Sequence, residues 1–489
     1  MIFILRFHAE ITVKSRSLRQ RHSKVLTGNV RTLMKEISPA IKVRNQWDKL
    51  SVEVPNESDL CQAALSRLRR IPGISHIEEV AQIAFTDFDT LLAFVLAHRE
   101  DVLMNRSFAV RVKRKGKHDF SSQELAAYIG GGICARVAGS HVQLKDPQQL
   151  VKIWLDQDEA SVEIQRYAGL GGYPIPTQET ALSLISGGFD SAVATYAMMR
   201  RGARTHFCFF NLGGAEAHEA AVKEVSYFLW ERFSKSHAVK FVSVDFSEVV
   251  NRILIQDQPS LMGVLLKRAM LRASALVAER VKAQAVVTGE ALGQVSSQTL
   301  SNLKVIDEVT PMLVLRPLIV SDKQDIVNQA HEIGVGQMAA AIPEYCGVIS
   351  NKPTVKAQRA ALLEGEQTLT DELIAKVVHE AQVIDIREVP KVTQETAKIS
   401  EISSTDALSS ASVVLDIRAP EEEERAPLTL NQAKVKHVPF FKLTKQIENY
   451  SKDQELVLYC DQGVMSRMQA LRLREQGFQN VSVLSAVNS

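Results

Sequence analysis

Cysteine is scarce in this chain. Five thiols in 489 residues (Cys61, Cys134, Cys208, Cys346 and Cys460) are odd in number, widely scattered and without a C-x-x-C pair. That pattern excludes a disulfide framework and a zinc ribbon, so any sulfur chemistry must come from individual thiols. Long apolar runs are missing as well: no stretch reaches the roughly 18 residues of a membrane span. Met1-Ile-Phe-Ile-Leu-Arg-Phe-His has neither the basic start nor the length of a secretory signal and reads as a first strand. A cytoplasmic protein with no membrane partner is expected. Aromatic residues make up only 6% of the chain, but hydrophobic (45%) and charged (23%) contents are those of ordinary globular domains, and the length implies roughly two to four of them.

Acidic residues are few at the front of the chain. Residues 1–50 carry 11 Lys or Arg against 3 Asp or Glu, although the whole chain is nearly neutral at +2. Farther on, Arg106, Arg111, Lys113, Arg114, Lys115 and Lys117 add six cations with no acid among them. A basic first third on a near-neutral remainder suits a polyanion such as nucleic acid, since phosphate contacts need clustered cations; a solvated charged face is the plainer alternative.

The chemistry-bearing stretch lies at 181–191. Ala181-Leu-Ser-Leu-Ile185 is an apolar strand that runs into Ser186-Gly187-Gly188-Phe189-Asp190-Ser191 and then a helix over Ala192–Arg200. Paired glycines let a ligand approach the backbone, and the helix start directs N–H groups at the same point, so an anion is expected there. The turn fits neither G-x-x-x-x-G-K-[ST] nor G-x-G-x-x-G, which disfavours a γ-phosphate transferase and a dinucleotide enzyme. A plain tight connection remains the alternative for the glycines alone. Ser186, Ser191 and the Asp190 carboxylate add hydroxyls for phosphate and a ligand for Mg²⁺.

Around this stretch the pattern divides the chain. Residues 1–75 alternate strands and helices (2–7, 17–36, 49–54, then a helix stopped by Pro72-Gly73), an α+β unit of ferredoxin-like size. Residues 76–168 continue with strands and helices. In Ser107-Phe-Ala-Val-Arg-Val-Lys-Arg, Phe108, Val110 and Val112 alternate with Arg111 and Lys113, and a helix over 123–137 is expected to be interrupted at Gly130-Gly131-Gly132. Gly169–Pro176 reads as a linker. Residues 177–349 alternate apolar strands (182–185, 205–210, 239–244, 284–288) with amphipathic helices, the mark of a doubly wound parallel sheet with its site at the strands' carboxyl ends. Residues 350–403 read as a helical linker and 404–489 as a small α/β unit. There Ser412–Ile417 ends in Asp416-Ile-Arg418, and Glu455–Tyr459 leads into Cys460-Asp-Gln-Gly-Val-Met-Ser-Arg467. A cysteine in such a strand–loop–helix is either a buried structural thiol or a thiolate stabilised by backbone N–H groups; the polar, glycine-containing loop and Arg467 favour the second. Cys61, Cys134 and Cys208 read as packing residues.

The S-G-G-x-D-S string after an apolar strand resembles the PP-loop of the ATP pyrophosphatases, which cleave ATP between its α and β phosphates. Thr288-Gly-Glu-Ala-Leu-Gly-Gln-Val-Ser-Ser-Gln-Thr299 is similar to the thiolating branch of that family, V-R-V-K-R-K-G-K-H-D-F-S-S (residues 110–122) resembles a THUMP domain behind a ferredoxin-like one, and the D-I-R and cysteine-loop signals resemble a rhodanese domain. In that order the four resemble the long form of the tRNA 4-thiouridine synthetases, the ThiI family of tRNA sulfurtransferases.

The resemblance implies a multidomain α/β and α+β architecture in which a basic module (Arg111, Lys113, Arg114, Lys115, Lys117) holds the tRNA acceptor end. It places ATP at Leu184, Ile185, Ser186, Gly187, Gly188, Asp190, Ser191, Lys267, Gly289, Gln298 and Lys323, with Mg²⁺; Lys267 and Lys323 taken singly would read as exposed lysines. It implies adenylation of the uridine at position 8 with Asp190 taking part, a persulfide on Cys460 loaded by a cysteine desulfurase, and a Cys346–Cys460 disulfide cleared by a thiol reductant. It further implies sulfur supply for the thiazole of thiamine, and a homodimer is compatible with it. Two other readings stay open on the residues. One is a PP-loop enzyme using ammonia or an amine, against which the cysteine loop speaks. The other is a non-catalytic tRNA-binding sulfur relay, against which the intact Ser186–Ser191 turn speaks.

Overall fold

The structure is a computed structural model that describes residues 1–484 apart from 47–48, 214–215, 257, 343–351, 398–399, 403–407, 410–411, 419, 426, 431–432, 440–441, 444–445, 461–465, 467–468, 471–472 and 475. It divides into two compact units, Met1–Thr177 with Arg200–Gly202, and Gln178–Met199 with Ala203–Ser489. No helix among the described residues is long and apolar enough to cross a membrane.

In the first unit, strands β1 (Ile2–Phe7), β2 (Lys42–Asn45), β3 (Lys49–Glu53), β4 (Ile74–Ala84), β5 (Ser107–Lys115), β6 (His141–Val142), β7 (Gln149–Asp156) and β8 (Glu159–Ala168) form one sheet in the order β2-β3-β1-β4-β8-β7-β5-β6. Two apolar cores are present in this unit. Phe3, Leu26, Leu50 and Leu68 lie in one, and Leu92, Phe108, Ile129 and Val151 in the other. The backbone nevertheless joins them, because β4 pairs antiparallel with β1 along one edge and with β8 along the other. Each half thereby covers what would be an open strand edge of its neighbour.

Two local expectations are corrected here. The helix Ser122–Arg136 runs unbroken through its three glycines. A capping box between Ser121 and Glu124 starts it, and burial of Leu125, Ile129 and Ile133 outweighs the poor helix propensity of glycine. The expected linker Gly169–Pro176 belongs to the packed unit. Gly171 N–H donates to the Ile74 carbonyl at 2.8 Å, Asn29 Nδ2 donates to the Ile175 carbonyl at 2.7 Å, and Tyr173 lies in the first core.

The second unit opens with β9 (Thr180–Leu184), β10 (Arg204–Asn211), β11 (Lys240–Asp245), β12 (Ala285–Val287) and β13 (Leu313–Leu315), joined by β14 (Gln382–Asp385). Their order is β13-β12-β9-β10-β11-β14, with every pairing parallel except that of β14 on β11. The direction of winding reverses between β9 and β12, and a doubly wound sheet opens its ligand crevice at the carboxyl ends of the strands at such a point. The expected linker over 350–403 is in large part built into this domain: β14 completes the sheet, and Leu362, Leu373, Ile374 and Val377 are buried in its core. Composition hid this, since the helix Asp371–His379 alternates Leu373, Ile374 and Val377 with charges that face solvent.

A third sheet, β15-β19-β18-β16-β17, is built from β15 (Ser400–Ile402), β16 (Val413–Asp416), β17 (Lys434–His437), β18 (Leu456–Tyr459) and β19 (Val481–Leu484), all pairings parallel. It begins a few residues before the expected start at 404. Cys460 directly follows β18.

Candidate active site

At the carboxyl end of β9 the chain turns through Ser186–Gly188 into the helix Phe189–Arg200. Gly187 sits at φ +84°, a conformation that side chains other than glycine's rarely adopt. Ser191 ties the turn together. Its hydroxyl receives the Ser186 N–H at 3.2 Å, meets the Ser186 hydroxyl at 3.1 Å and donates to the Gly188 carbonyl at 3.1 Å. Beneath it, Thr195 Oγ1 donates to the Ser191 carbonyl and meets Ser183 Oγ, both at 2.7 Å, in a fully buried linkage between strand and helix. Leu184 ends the strand and Ile185 follows it. The Ile185 side chain is buried, so what it presents to the crevice is backbone.

The loop after β12 comes against this turn. A Cβ on Gly289 would fall 2.6 Å from the Asp190 carbonyl carbon and from the Ser191 nitrogen, so only glycine fits the approach. Cations gather where the loops meet. Lys323 Nζ donates to both Asp190 oxygens at 2.8 and 2.9 Å, and Gln294 Nε2 donates to Asp190 Oδ2 at 2.9 Å. Lys267 Nζ donates to Glu290 Oε1 at 2.7 Å, while Arg316 Nε and the Thr288 hydroxyl donate to Oε2 at 2.8 and 3.0 Å. Arg316 is gripped from its other side by both oxygens of Asp307. Burial works to raise the Glu290 carboxyl, yet Lys267 and Arg316 overcome it and hold the group below the usual carboxylate range. Burial likewise opposes the charge on Arg316, and Asp307 and Glu290 overcome it.

His218, on the helix Glu216–Phe233, hydrogen-bonds the Ser186 backbone and meets Phe209 edge-on at 5.2 Å. Burial lowers its pKa despite that bond. Gln298 is buried, its Oε1 has no hydrogen-bond partner among the described residues, and its carbonyl receives the Gly293 N–H. An orphaned acceptor of this kind is unusual in a finished core and is expected where a ligand supplies the donor.

The structure therefore brings Ser186, Gly187, Gly188, Asp190, Ser191, Gly289 and Lys323 together, with Lys267 one contact removed through Glu290. Sequence reasoning missed Glu290, Arg316, Gln294 and His218. Glu290 and Gln294 were visible as polar positions in the loop after an apolar strand; nothing local marked Arg316 or His218. Among the described residues no group of three or more His, Cys, Asp or Glu side chains could hold a metal. The single carboxylate at the turn suits an ion carried largely by phosphates.

Cys460 lies at the carboxyl end of β18 and is 7% exposed. Its sulfur accepts the Ser466 N–H at 3.4 Å and meets the Ser466 hydroxyl at 3.3 Å. Alongside, Arg418 donates to both oxygens of Asp416 in a fully buried pair, and its guanidinium stacks 5.0 Å from the Tyr459 ring centre. Ala220, two residues beyond His218, is buried in the same apolar cluster as Cys460. Cys346, Arg467 and most of the loop after Cys460 lie outside the described residues. Of the three thiols read as packing residues, Cys208 is buried and Cys61 half-buried, but Cys134 is exposed on the outer face of the helix Ser122–Arg136.

In the first unit the basic strand β5 exposes Arg111, Lys113 and Lys115 at alternate positions, followed by exposed Lys117. Arg114 points the other way, donating to the His118 carbonyl at 3.2 Å with its guanidinium 5.4 Å from the Phe120 ring centre. Lys115 is paired with Asp156 at 3.1 Å, a surface contact of little energetic weight.

Comparison with known proteins agrees with this arrangement. Residues 2–77 match the ThiI ferredoxin-like domain, 85–165 the THUMP domain, 176–370 the thiamine biosynthesis protein (ThiI) family and 370–486 the rhodanese-like domain. The chain is 48% identical over 484 residues to proteins named tRNA sulfurtransferase from Shewanella loihica and Tolumonas auensis, covering 99% of each chain in both cases. Its fold is shared with a 4-thiouridine synthetase solved in complex with RNA and ATP (TM-score 0.69, 24% identity, 78% of this chain and 99% of that one). It is shared also with a protein from Pyrococcus horikoshii (TM-score 0.50, 19% identity, 68% and 99%). The chain belongs to the tRNA sulfurtransferase family.

Proposed function

We propose that this enzyme forms 4-thiouridine at position 8 of tRNA in the cytoplasm, activating the uridine with ATP and delivering sulfur from a Cys460 persulfide. The observation that carries the reading is the meeting of the Ser186–Ser191 turn with the Gly289 loop at the winding reversal, where Lys323 and Lys267 are held on the Asp190 and Glu290 carboxylates. The turn's N–H groups and the lysines would bind the phosphates, and Gln298 would accept a hydrogen bond from the nucleotide. Asp190 would hold Mg²⁺, whose charge would offset that of the phosphates. Exposed Arg111, Lys113, Lys115 and Lys117 would hold the acceptor region of tRNA, with Arg114 bracing their strand from behind.

Uracil O4 would attack the α-phosphorus and expel pyrophosphate, turning a poor oxygen leaving group into AMP. The terminal sulfur of the persulfide, placed on Cys460 by a cysteine desulfurase, would then attack C4 and displace AMP. Cys346 thiolate would attack the Cys460 sulfur, releasing the 4-thiouridine thiolate and leaving a Cys346–Cys460 disulfide, which a thiol reductant returns to two thiols. Ser466 supports a sulfur anion at Cys460, and the cluster shared by Ala220 and Cys460 supports delivery near the turn. The same persulfide would serve thiazole formation for thiamine. We assign residues 1–168 to tRNA docking, 177 to about 397 to adenylation and the remainder to sulfur carriage; a homodimer is the proposed assembly.

The test separates the half-reactions. With ATP, tRNA and a sulfur-loaded desulfurase, Cys460→Ala is expected to abolish 4-thiouridine absorbance yet still release pyrophosphate and leave AMP attached to the tRNA, whereas Asp190→Asn loses both. Thiolation by Cys460→Ala, or normal ATP consumption by Asp190→Asn, would refute the corresponding assignment.

A further inference from the structure

We infer that Glu290 is a positioning residue of the adenylation site, acting through Lys267. The inference rests on the adenylation reading above and adds a part to it. Glu290 stands one residue beyond Gly289, where the two loops touch backbone to backbone, and its carboxylate is nearly sealed from solvent at 7% exposure. Each oxygen is taken: Oε1 by Lys267, Oε2 by Arg316 and Thr288. Arg316 is itself fixed by Asp307. The chain of contacts Asp307–Arg316–Glu290–Lys267 therefore runs from the body of the domain to the ammonium, and Glu290 is its pivot.

A lysine needs such a pivot more than an arginine does. Its ammonium is a point charge on four flexible methylenes, and freezing that stem costs rotamer entropy. Lys267 projects from the helix Met262–Val281, with its side chain 24% exposed and thus open to a ligand on one side. Glu290 takes one of its three protons in a hydrogen bond and leaves two donors to be aimed elsewhere. The buried carboxylate also offsets the repulsion between Lys267 and Arg316, which would otherwise drive the lysine outward. Held this way, Lys267 meets charge that develops on the phosphates without a reorganisation step, and misplacement by about 1 Å can cost about 100-fold in rate.

The test measures ATP-dependent pyrophosphate release on tRNA by the full chain, with Glu290→Gln, Lys267→Met and the double variant, each first shown to melt like the wild type. Glu290→Gln keeps the size and one acceptor but removes the charge. It is expected to lower kcat about 10- to 100-fold while KM for ATP moves less than about threefold. The double variant is expected to be no slower than Lys267→Met alone, because a residue acting through Lys267 has nothing left to position. Additive losses in the double variant, or a Glu290→Gln enzyme with wild-type kcat, would overturn the inference. If Glu290→Gln melts early, the same comparison with Arg316→Lys, which slackens the pivot from the other side, takes its place. Absence of pyrophosphate release by the wild-type chain would instead sink the adenylation reading.

Discussion

The Gly289→Ala substitution puts the geometry of the site under the most direct strain. The added methyl would lie 2.6 Å from two backbone atoms and 2.8 Å from the Asp190 carbonyl oxygen, where ordinary contact begins at 3.4 Å. Neither neighbour is the end of a flexible side chain, so the two loops must part by about 0.8 Å. Overpacking of this kind costs typically about 1–3 kcal/mol. The larger effect falls on function. The Gln294–Asp190 contact of 2.9 Å bridges the parted elements and would lengthen beyond hydrogen-bond range. A misplacement near 1 Å at a reacting centre lowers the rate about 100-fold, equivalent to about 2.7 kcal/mol of transition-state stabilisation. The assay is pyrophosphate release with ATP and unmodified tRNA, alongside thermal unfolding with and without ATP. Gly131→Ala is the control: nothing lies within 4 Å of its added methyl, and the site is an exposed helix interior, so activity should be unchanged. A Gly289→Ala enzyme within about threefold of wild type would refute the argument that this contact sets the site.

Two further outcomes follow from the same coordinates. Lys113→Ala, on the exposed face of β5, should weaken tRNA binding and reduce the slope of log affinity against log salt by about 1, measured by filter binding across a salt series; an unchanged slope would remove Lys113 from the phosphate contacts. His206 is buried, accepts the Lys240 N–H at 3.0 Å, and has its pKa pushed down to about 4 by burial together with the Arg204 and Lys240 charges. Because the folded value lies below the unfolded 6.5, the unfolded chain binds the proton first. The stability it supports is complete above that value and falls between 6.5 and about 4. His206→Asn, which keeps an acceptor but cannot titrate, should lose about 2 kcal/mol less than wild type between pH 7 and pH 5 in urea unfolding, and equal losses would refute the assignment.

Much of this was legible before any coordinates. Strands β9, β10, β11 and β12 announce themselves because they are largely buried on both faces and read as short runs rich in apolar residues. The Ser186–Ser191 turn is legible because its glycines and hydroxyls are contiguous. What escaped was short, or was supported from far away in sequence. Leu313–Leu315 and Gln382–Asp385 are edge strands of three and four residues, too brief to set a period. Gly169–Pro176 has the composition of a linker, yet a glycine-rich segment is also what can lie close against another backbone, and Ile74 and Gly73 bind it there. Arg316 follows a three-residue strand and carries no motif of its own. Its meaning comes from Glu290, 26 residues earlier in the chain, and from Asp307. Cys134 fell to the wrong face because three glycines erased the apolar stripe by which a helix face is recognised.

The two chemical centres rest on one physical device used twice. Each lies where a parallel strand ends and a loop begins. At β9 the loop is shaped by glycine and ringed by cations, which suits a ligand of several negative charges. At β18 the loop begins with Cys460, whose sulfur meets the N–H and the hydroxyl of Ser466, which suits a single soft anion. The buried Asp416–Arg418 pair beside it adds no free charge; its guanidinium lies on Tyr459, the residue before the cysteine, and fixes the end of the strand. Phosphate activation needs several donors on a multiply charged ligand, whereas sulfur transfer needs a thiolate that is stabilised but still able to leave, so the lysines belong at the turn and the lighter Ser466 contacts suit the cysteine.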